Sequence, residues 1–274
     1  MKWHAYLLLS ALFFSSGASE AANLLLSAED FSPPAGNDPN YVEMTVPDEG
    51  AAAPSIIGGV PANPKEWPAT FGFTSAKGAC TSTVIGTRVV MTAAHCVADR
   101  AKGRITVEGQ SIQITCLRHP EYPLYNDLDV ALCGSSQDIV LPPGKQYETI
   151  SFAPLVPKIG EDLTLLGFGC RASGKNAPSG VLYLGIAKAV KRIGAYLETV
   201  GAAVCFGDSG GAAYYSKNSD QRAIIAVNSL GDISTTSSLT QTANPQVAAF
   251  FMDFSDLNNL AICGYNDDSD RCHI

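Results

Sequence analysis

The sequence predicts an all-β fold from Ile56 onward, and two features of the hydrophobic pattern lead to this prediction. Short apolar runs rich in Val, Ile and Thr alternate with turns that contain Gly, Pro and Asn, as in TVIGTRVVM, RITVEG and DVALC. No long apolar stripe with a helical period appears before AFFMDFSDLNNLAIC, near the end of the chain. Because strands show short runs bounded by turn residues, the pattern favours strands followed by a short C-terminal helix.

The length and the charge limit the classes of function. The chain has 274 residues, which is enough for one large domain or two small ones. Its formal net charge is −8, and a negative surface repels nucleic-acid phosphates and anionic lipid headgroups. We therefore expect neither a nucleic-acid partner nor an anionic membrane surface as a partner.

The first 22 residues resemble a targeting segment. Lys2 gives a positive start, residues 5–14 form an apolar run, and residues 17–22 are small apart from Glu20. The run is shorter than a helix that spans a bilayer, and no cysteine for a lipid anchor lies near it. We predict a signal peptide over residues 1–22, no membrane anchor, and secretion to the extracellular space, or to the periplasm in a bacterium.

The next segment, residues 23–55, differs from the rest in composition. Residues 20–55 contain seven acidic residues, five prolines and neither Lys nor Arg. A segment of this kind buries too little apolar surface to fold alone, so we expect it to be flexible. We interpret residues 23–55 as an acidic pro-region, and the alternative is an N-terminal arm that is never cut.

The cysteines indicate disulfides rather than a metal site. Their number is even, and all of them follow the targeting segment, as in proteins of an oxidising compartment. The chain contains no CxxC pair and no His-rich cluster, which argues against structural zinc. We expect no metal and no cofactor.

Two short motifs, TAAHC and GDSGG, contain residues that suit acyl transfer. Ser209 lies between glycines, which let a ligand approach the backbone, but a neutral hydroxyl needs a base to become a nucleophile. His95 is the best candidate base because histidine titrates near neutral pH. His119 precedes a proline and is interpreted as a surface turn residue, and the two remaining histidines lie close to the chain ends.

The order of the motifs resembles that of the trypsin/chymotrypsin-like serine protease family. IIGG, EWPA, TAAHC, HPEY, DVAL, GFG and GDSGG follow one another as in the family, and they cover about residues 56–255. The resemblance implies a protease domain over residues 56–274, with two antiparallel six-stranded β-barrels and the active site in the cleft between them. The first barrel would cover about residues 56–145 and the second about 146–255, followed by a tail at 256–274.

The resemblance also implies the catalytic roles. Ser209 would be the nucleophile, His95 the base and Asp129 the acid that orients the imidazole. Asp127, in NDLDVAL, competes for the last role, but the match of DVAL favours Asp129, and we interpret Asp127 as a solvated loop acid. The backbone N–H groups of Gly207 and Ser209 would form the oxyanion hole.

The resemblance implies a different kind of role for Asp208. In the family this acid pairs with the α-amino group that appears when the pro-region is cut, here the amine of Ile56. The residues before the cut, AAAPS, include no basic residue, so a protease that prefers Lys or Arg would not cleave this bond. We hypothesise that the chain activates itself or is activated by a protease of similar specificity.

The specificity pocket departs from the tryptic branch of the family. That branch has an aspartate six residues before the nucleophile, where this chain has Ala203. An unpaired substrate cation beside an alanine would be costly, so we expect small or apolar P1 residues. Ser229, Leu230 and Gly231 would form the wall, with Leu230 narrowing the pocket, and a tryptic preference would need another acid such as Asp232.

The disulfide pairing follows from the same resemblance. The Cys80–Cys96 pair matches the family's loop around the base. For the other cysteines sequence alone leaves the connectivity open, and on the barrel fold we expect the pairs Cys170–Cys205, Cys116–Cys133 and Cys263–Cys272.

The sequence therefore indicates a secreted, monomeric serine endopeptidase that hydrolyses protein or peptide substrates through an acyl-enzyme. One alternative is a catalytically inactive, protease-like binding protein, which the three intact triad residues disfavour. Another is an esterase or other serine acyl hydrolase, which the chain order His–Asp–Ser and the lack of a strand–helix elbow around the serine disfavour.

Overall fold

Two β-barrels make up most of the chain. The structure, a computed structural model, describes residues 23–34, 36, 38–46, 56–170, 180–218 and 221–273. The predicted signal peptide and Ser55, the residue before the predicted cut, lie outside the described residues. The strands are β1 (Val42–Thr45), β2 (Val60–Pro61), β3 (Thr70–Ser75), β4 (Gly78–Gly86), β5 (Val89–Thr92), β6 (Ala101–Val107), β7 (Gln110–Arg118), β8 (Ala131–Ser135), β9 (Asp162–Gly167), β10 (Tyr183–Ile193), β11 (Tyr196–Gly201), β12 (Ala212–Asn218), β13 (Gln221–Gly231) and β14 (Thr236–Gln241).

The order of the strands confirms the predicted architecture. The first barrel closes in the order β1-β3-β4-β5-β8-β7-β6. In the second, the order is β11-β14-β13-β12-β9-β10, and β10 pairs with β11 to close it, while β2 adds to β10 at the edge. The first barrel thus has seven strands, one more than expected, because β1 comes from the segment before Ile56.

Strand β1 shows that part of the acidic N-terminal segment is ordered. Val42 and Met44 are fully buried in the core of the first barrel, and they alternate with the half-buried Glu43 and Thr45. This is the period of two that a strand with one buried face requires. The expectation that the whole segment is flexible is wrong for these residues. An alternation of only four residues is too short to stand out in a segment whose composition is otherwise polar.

The C-terminal helix α1 (Pro245–Asn258) packs against the barrels. The side chain of Asn244 caps its first turn by accepting from the backbone N–H groups of Gln246 and Val247. His119 is buried rather than at the surface, since its ring lies 5.2 Å from that of Phe250 and its Nε2 is 3.3 Å from the Gln246 carbonyl oxygen. Across the described part of the chain, every helix is too short or too polar to cross a bilayer.

The structure joins the cysteines in the four pairs that the sequence analysis names, Cys80–Cys96, Cys116–Cys133, Cys170–Cys205 and Cys263–Cys272. Cys116 and Cys133 are directly opposite each other on β7 and β8. No cysteine precedes Cys80, so no disulfide can join the N-terminal segment to the barrels.

A buried ion pair connects the two barrels. Glu148, which is fully buried, accepts from the guanidinium of Arg222 on β13 at 2.6 and 3.0 Å. The same guanidinium lies 3.7 Å from the centre of the Trp67 ring. The backbone N–H of Glu148 donates to the Val84 carbonyl oxygen on β4, so the pair holds strands of both barrels together.

The burial of this pair predicts its contribution to stability. Glu148→Gln should lower the free energy of unfolding by about 3–5 kcal/mol, because it leaves the Arg222 cation buried without its partner. The matched control is Asp162→Asn, which removes the exposed Lys188–Asp162 pair and should cost less than about 1 kcal/mol. Urea denaturation followed by circular dichroism measures both, and equal losses in the two variants would contradict the prediction.

Candidate active site

His95 and Asp129 form a hydrogen-bonded pair at one side of the cleft. A 3₁₀ turn, Ala94–Cys96, follows β5 and leaves the His95 side chain 33% exposed, whereas that of Asp129 is 3% exposed. His95 Nδ1 lies 2.6 Å from one carboxylate oxygen, and the backbone N–H of His95 donates to the other at 2.8 Å. Both oxygens thus fix the ring, and Nε2 remains for a substrate or a nucleophile.

Ser229 also holds Asp129. Its hydroxyl donates to Asp129 Oδ2 at 2.5 Å, the same oxygen that meets the imidazole. The sequence assigned Ser229 only to the wall of the specificity pocket, since a serine in NSLG gives no sign of a bond to an acid 100 positions earlier. Ser229 lines the cavity as well, so it belongs to both parts of the site.

The GDSGG loop needs glycine at two positions. Gly207 has a φ of +100° and Gly210 a φ of +84°, angles that other residues rarely adopt. An added β-carbon would lie 2.7 Å from the Gly169 Cα at the first position and 2.2 Å from Thr92 Oγ1 at the second. The N–H groups of Gly207 and Ser209 have no acceptor among the described residues, which leaves them available to a ligand oxygen.

Thr81 on β4 ties this loop to the first barrel. Its backbone N–H donates to the Ser209 carbonyl oxygen at 2.8 Å, and its hydroxyl donates to the Gly207 carbonyl oxygen at 2.8 Å. Asn228 on β13 supports the loop from the other side, since its side-chain amide donates to the carbonyl oxygens of Leu166 and Asp208. Neither role can be predicted from the sequence, because both depend on contacts between residues far apart in the chain.

Ser209 and His95 line one cavity of about 490 Å³ between the barrels. The Ser209 hydroxyl donates to the Ser229 carbonyl oxygen at 3.4 Å, which is a long and weak hydrogen bond. A larger cavity of about 870 Å³ lies against the first barrel, and its described lining includes neither histidine nor serine nor cysteine. Of these two cavities, the smaller one combines a candidate nucleophile with a candidate base among its described lining residues.

The predicted specificity residues do not all reach the cavity. Ala203 is fully buried, exchanges two backbone hydrogen bonds with Ile57, and is not among the described residues that line the cavity. Its neighbour Val204 lines the cavity instead, and a β-carbon added at Gly231 would lie 2.8 Å from Val204 Cγ2. Val204 therefore fills the space beside Gly231, while Leu230 lies at the rim with 52% of its surface exposed.

Asp232 is directed to its own turn rather than to the cavity. Its Oδ1 accepts from the backbone N–H groups of Ser234, Thr235 and Thr236 at 2.8–2.9 Å. These hydrogen bonds, led by that of Thr236, hold the pKa of the exposed carboxyl below its usual range. No Asp or Glu is found among the described residues that line the cavity.

The side chain of Asp208, within the GDSGG loop, is fully buried. It accepts from the backbone nitrogens of Cys205 at 2.8 Å, Gly169 at 2.8 Å and Ile56 at 3.2 Å. Burial raises the pKa of Asp208 to about 7, although the three hydrogen bonds act in the opposite direction. The Ile56 side chain is buried as well, in the core of the second barrel.

Asp127 has a structural contact of its own. The residue is half-buried, and its Oδ2 accepts from the backbone N–H of Ala195 at 2.8 Å. A β-carbon added at Gly194 would lie 2.2 Å from the same oxygen. The interpretation of Asp127 as a solvated loop acid is therefore wrong, because the residue connects the loop before β8 to the turn between β10 and β11.

The comparison with known proteins gives one family. None of the curated proteins matches the chain. The family model described as Trypsin matches residues 56–257, which include both barrels from β2 onward and almost all of α1. The chain therefore belongs to the trypsin family, as a trypsin-like serine protease with four disulfides.

Proposed function

We propose that the chain is a serine endopeptidase in which Ser209, His95 and Asp129 form the catalytic triad. The observation that carries the proposal is the pair of hydrogen bonds from His95 to Asp129 at 2.6 and 2.8 Å, beside the cavity that Ser209 also lines. Family membership supports a peptide or protein substrate.

The mechanism follows from these positions. The Ser209 hydroxyl turns from the Ser229 carbonyl oxygen toward His95 Nε2, which takes its proton as Oγ attacks the peptide carbonyl carbon. Asp129 keeps the remaining imidazole proton on Nδ1 and stabilises the imidazolium, and the Ser229 hydroxyl keeps the carboxylate in place. The N–H groups of Gly207 and Ser209 stabilise the negative oxygen of the tetrahedral intermediate.

The second half of the reaction uses the same groups. The imidazolium gives its proton to the leaving amine, and the acyl group remains on Ser209 Oγ. Water then loses a proton to His95 and attacks the acyl carbon, and the proton returns to Ser209 as the acid product leaves.

Substrate preference is proposed from the shape of the cavity. Val204 occupies the space beside Gly231, and no described acid lines the cavity to meet a substrate cation. Small or medium apolar P1 residues would fill this site without leaving a buried charge unpaired.

Secretion and activation complete the proposal. Four disulfides suit an oxidising compartment, which supports residues 1–22 as a signal peptide. The buried Asp208, within 3.2 Å of the Ile56 nitrogen, supports activation by a cut before Ile56. After that cut the nitrogen becomes an α-ammonium, an ion-pair partner for the Asp208 carboxylate.

The triad can be tested with two aspartate variants. Asp129→Asn should lower kcat/KM by about four orders of magnitude, because the imidazole loses the acceptor that fixes its tautomer. Asp127→Asn, the matched control, should cost about 1 kcal/mol of stability and keep its activity. Ser209→Ala should lose roughly 10⁶-fold in kcat and all labelling by a fluorophosphonate. A stronger effect of Asp127→Asn than of Asp129→Asn on kcat/KM would refute the assignment.

The substrate preference can be read from a peptide library. Cleavage should be best after Ala, Val, Ser or Leu and poor after Lys or Arg. Val204→Gly should shift the preference toward larger apolar residues such as Phe, since each methylene accommodated is worth about 1–3 kcal/mol. A profile dominated by Lys or Arg would show that an acid outside the described lining reaches the pocket.

Activation can be tested with the Ser209→Ala chain, which should stay uncut when alone. Added active enzyme should cut it so that the new N-terminus reads IIGGV. The Asp208→Asn chain should be cut at the same bond but stay largely inactive, because the Ile56 ammonium then lacks its partner, at a cost of roughly 3–5 kcal/mol. Another N-terminus in the active protein would refute the proposed bond, and an intact Ser209→Ala chain would exclude self-activation.

The raised pKa of Asp208 predicts a pH effect in the uncut chain. In the folded chain Asp208 binds its proton up to about pH 7, whereas the unfolded chain releases it near pH 3.8. The folded state binds more protons in between, so its free energy of unfolding falls as pH rises, by up to roughly 4 kcal/mol. Urea denaturation of uncut Ser209→Ala at pH 4.5 and 7.5 should show this fall, and Ser209→Ala/Asp208→Asn should lack it. Equal slopes in the two chains would contradict the prediction.

A further inference from the structure

The segment before the proposed cut has an unexpected position. In the described residues of 23–46, here called the N-terminal segment, strand β1 lies between β3 and β6. It pairs antiparallel with β3, where Met44 is opposite Phe73, and parallel with β6, where Val42 is opposite Gly103. No direct pairing between β3 and β6 closes the barrel, so β1 supplies the hydrogen bonds on both sides of this seam.

Three apolar side chains of the segment belong to the barrel core. Val42 and Met44 are fully buried, and Leu24 is 5% exposed. Two glycines of the barrel leave room for the segment: a β-carbon would lie 2.2 Å from the Val42 carbonyl oxygen at Gly103 and 2.4 Å from Leu26 Cδ1 at Gly134. The barrel surface therefore fits this segment closely, as a strand-binding groove fits its strand.

The charges of the two partners are complementary. Arg100, Lys102 and Arg104 lie at alternate positions along β6 and just before it, on the side that faces the segment. Arg100 donates to Asp30 at 2.7 Å, and Arg104 donates to Glu43 at 2.7 Å. This basic row meets a segment that contains acidic residues and no Lys or Arg.

Buried polar contacts add to the fit. The hydroxyl of Thr115, which is buried under the segment, donates to the Asp30 carbonyl oxygen at 2.6 Å. The Asn258 side chain at the end of α1 accepts from the Leu26 N–H at 2.6 Å and donates to the Leu24 carbonyl oxygen at 2.9 Å. Burial of the Asp30 carboxyl opposes its ionisation, but bonds from Ser27 and Arg100 outweigh this and hold its pKa below the usual value.

The contacts of the segment are separate from those that the cut would change. Cleavage before Ile56 alters the nitrogen that meets Asp208 in the second barrel, whereas the segment contacts the first barrel and α1. None of the residues that line the cavity of His95 and Ser209 comes from the described part of the segment. The segment thus neither blocks the site nor depends on the cut bond for its described contacts.

We infer that the N-terminal segment stays bound after activation as a second, non-covalent chain that completes the first barrel. The inference rests on the proposed cut before Ile56 and extends it, because the cut ends the covalent link but does not decide whether the segment leaves. No cysteine precedes Cys80, so strand pairing, apolar burial and charge hold the two chains together without a disulfide.

The experiment separates retention from the proposed activity. In the Ser209→Ala chain, a recognition sequence for a site-specific protease replaces residues 49–54, so that cutting needs neither the triad nor the natural bond. After complete cutting, native mass spectrometry should show both fragments in one complex, and denaturing conditions without reductant should separate them. Detection of the C-terminal fragment alone, in a folded state, would overturn the inference while leaving the proposed function untouched.

Variants test whether β1 holds the segment. Val42→Asp should release the cut segment or prevent folding, whereas Val46→Asp, the matched control at a residue 50% exposed just after β1, should do neither. In the Arg100→Gln variant, which keeps the apolar contacts, the cut segment should exchange with a fluorescent peptide of residues 23–46. This exchange should be at least tenfold faster than in the cut chain that retains Arg100. Equal retention and equal exchange in Val42→Asp and Val46→Asp would overturn the inference that the bound segment completes the barrel through β1.

Discussion

A single buried carboxylate organises the active-site loop. Asp208 is fully buried, and its oxygens accept from the backbone nitrogens of Ile56, Gly169 and Cys205, which come from three separate parts of the chain. Because a buried charge without partners is costly, the loop conformation depends on whether these donors are in place. Gly207, with its positive φ, and the N–H of Ser209 belong to the same short loop, so the state of Asp208 affects the groups of this loop that are proposed to act on the substrate.

The two barrels contribute different parts of the site, and small polar residues keep them aligned. The first barrel holds His95 and Asp129, and the second presents Ser209. Thr81 donates from the first barrel to the GDSGG loop, while Ser229 donates from the second barrel to Asp129. The hydroxyl of each is within 3 Å of its acceptor, so a small displacement between the barrels would disturb both bonds.

The sequence predicts the parts of this structure that local pattern determines. Strand alternation and turn residues indicate an all-β fold. Short motifs imply the two barrels through the family resemblance, and they lie in the region that the family model matches. It does not predict Thr81, Val204 or Asn228, because their roles depend on contacts between residues far apart in the chain. The same reason explains the errors for His119 and Asp127, which look like surface residues until a distant element packs on them.

The N-terminal segment is the clearest case of this limit. Its composition is that of a chain unable to form a core by itself, and this remains true of the segment in isolation. It is ordered because the first barrel supplies the partner strands, the apolar interior and the basic row along β6. Composition predicts whether a segment can form a core by itself, whereas its order in the folded protein also depends on the strands and side chains that the rest of the chain places against it.

The aromatic residue beside the buried ion pair has a spectroscopic consequence. The sequence contains two tryptophans, and removal of the proposed signal peptide would take away Trp3, so that Trp67 would be the single indole of the mature protein. Trp67 precedes β3 of the first barrel in the chain. Its ring nevertheless lies 3.7 Å from the Arg222 guanidinium and 4.9 Å from the Tyr214 ring, and both of these residues belong to the second barrel. The intrinsic fluorescence of the mature protein would therefore arise at the junction of the barrels, and its emission would report on their separation without an added label.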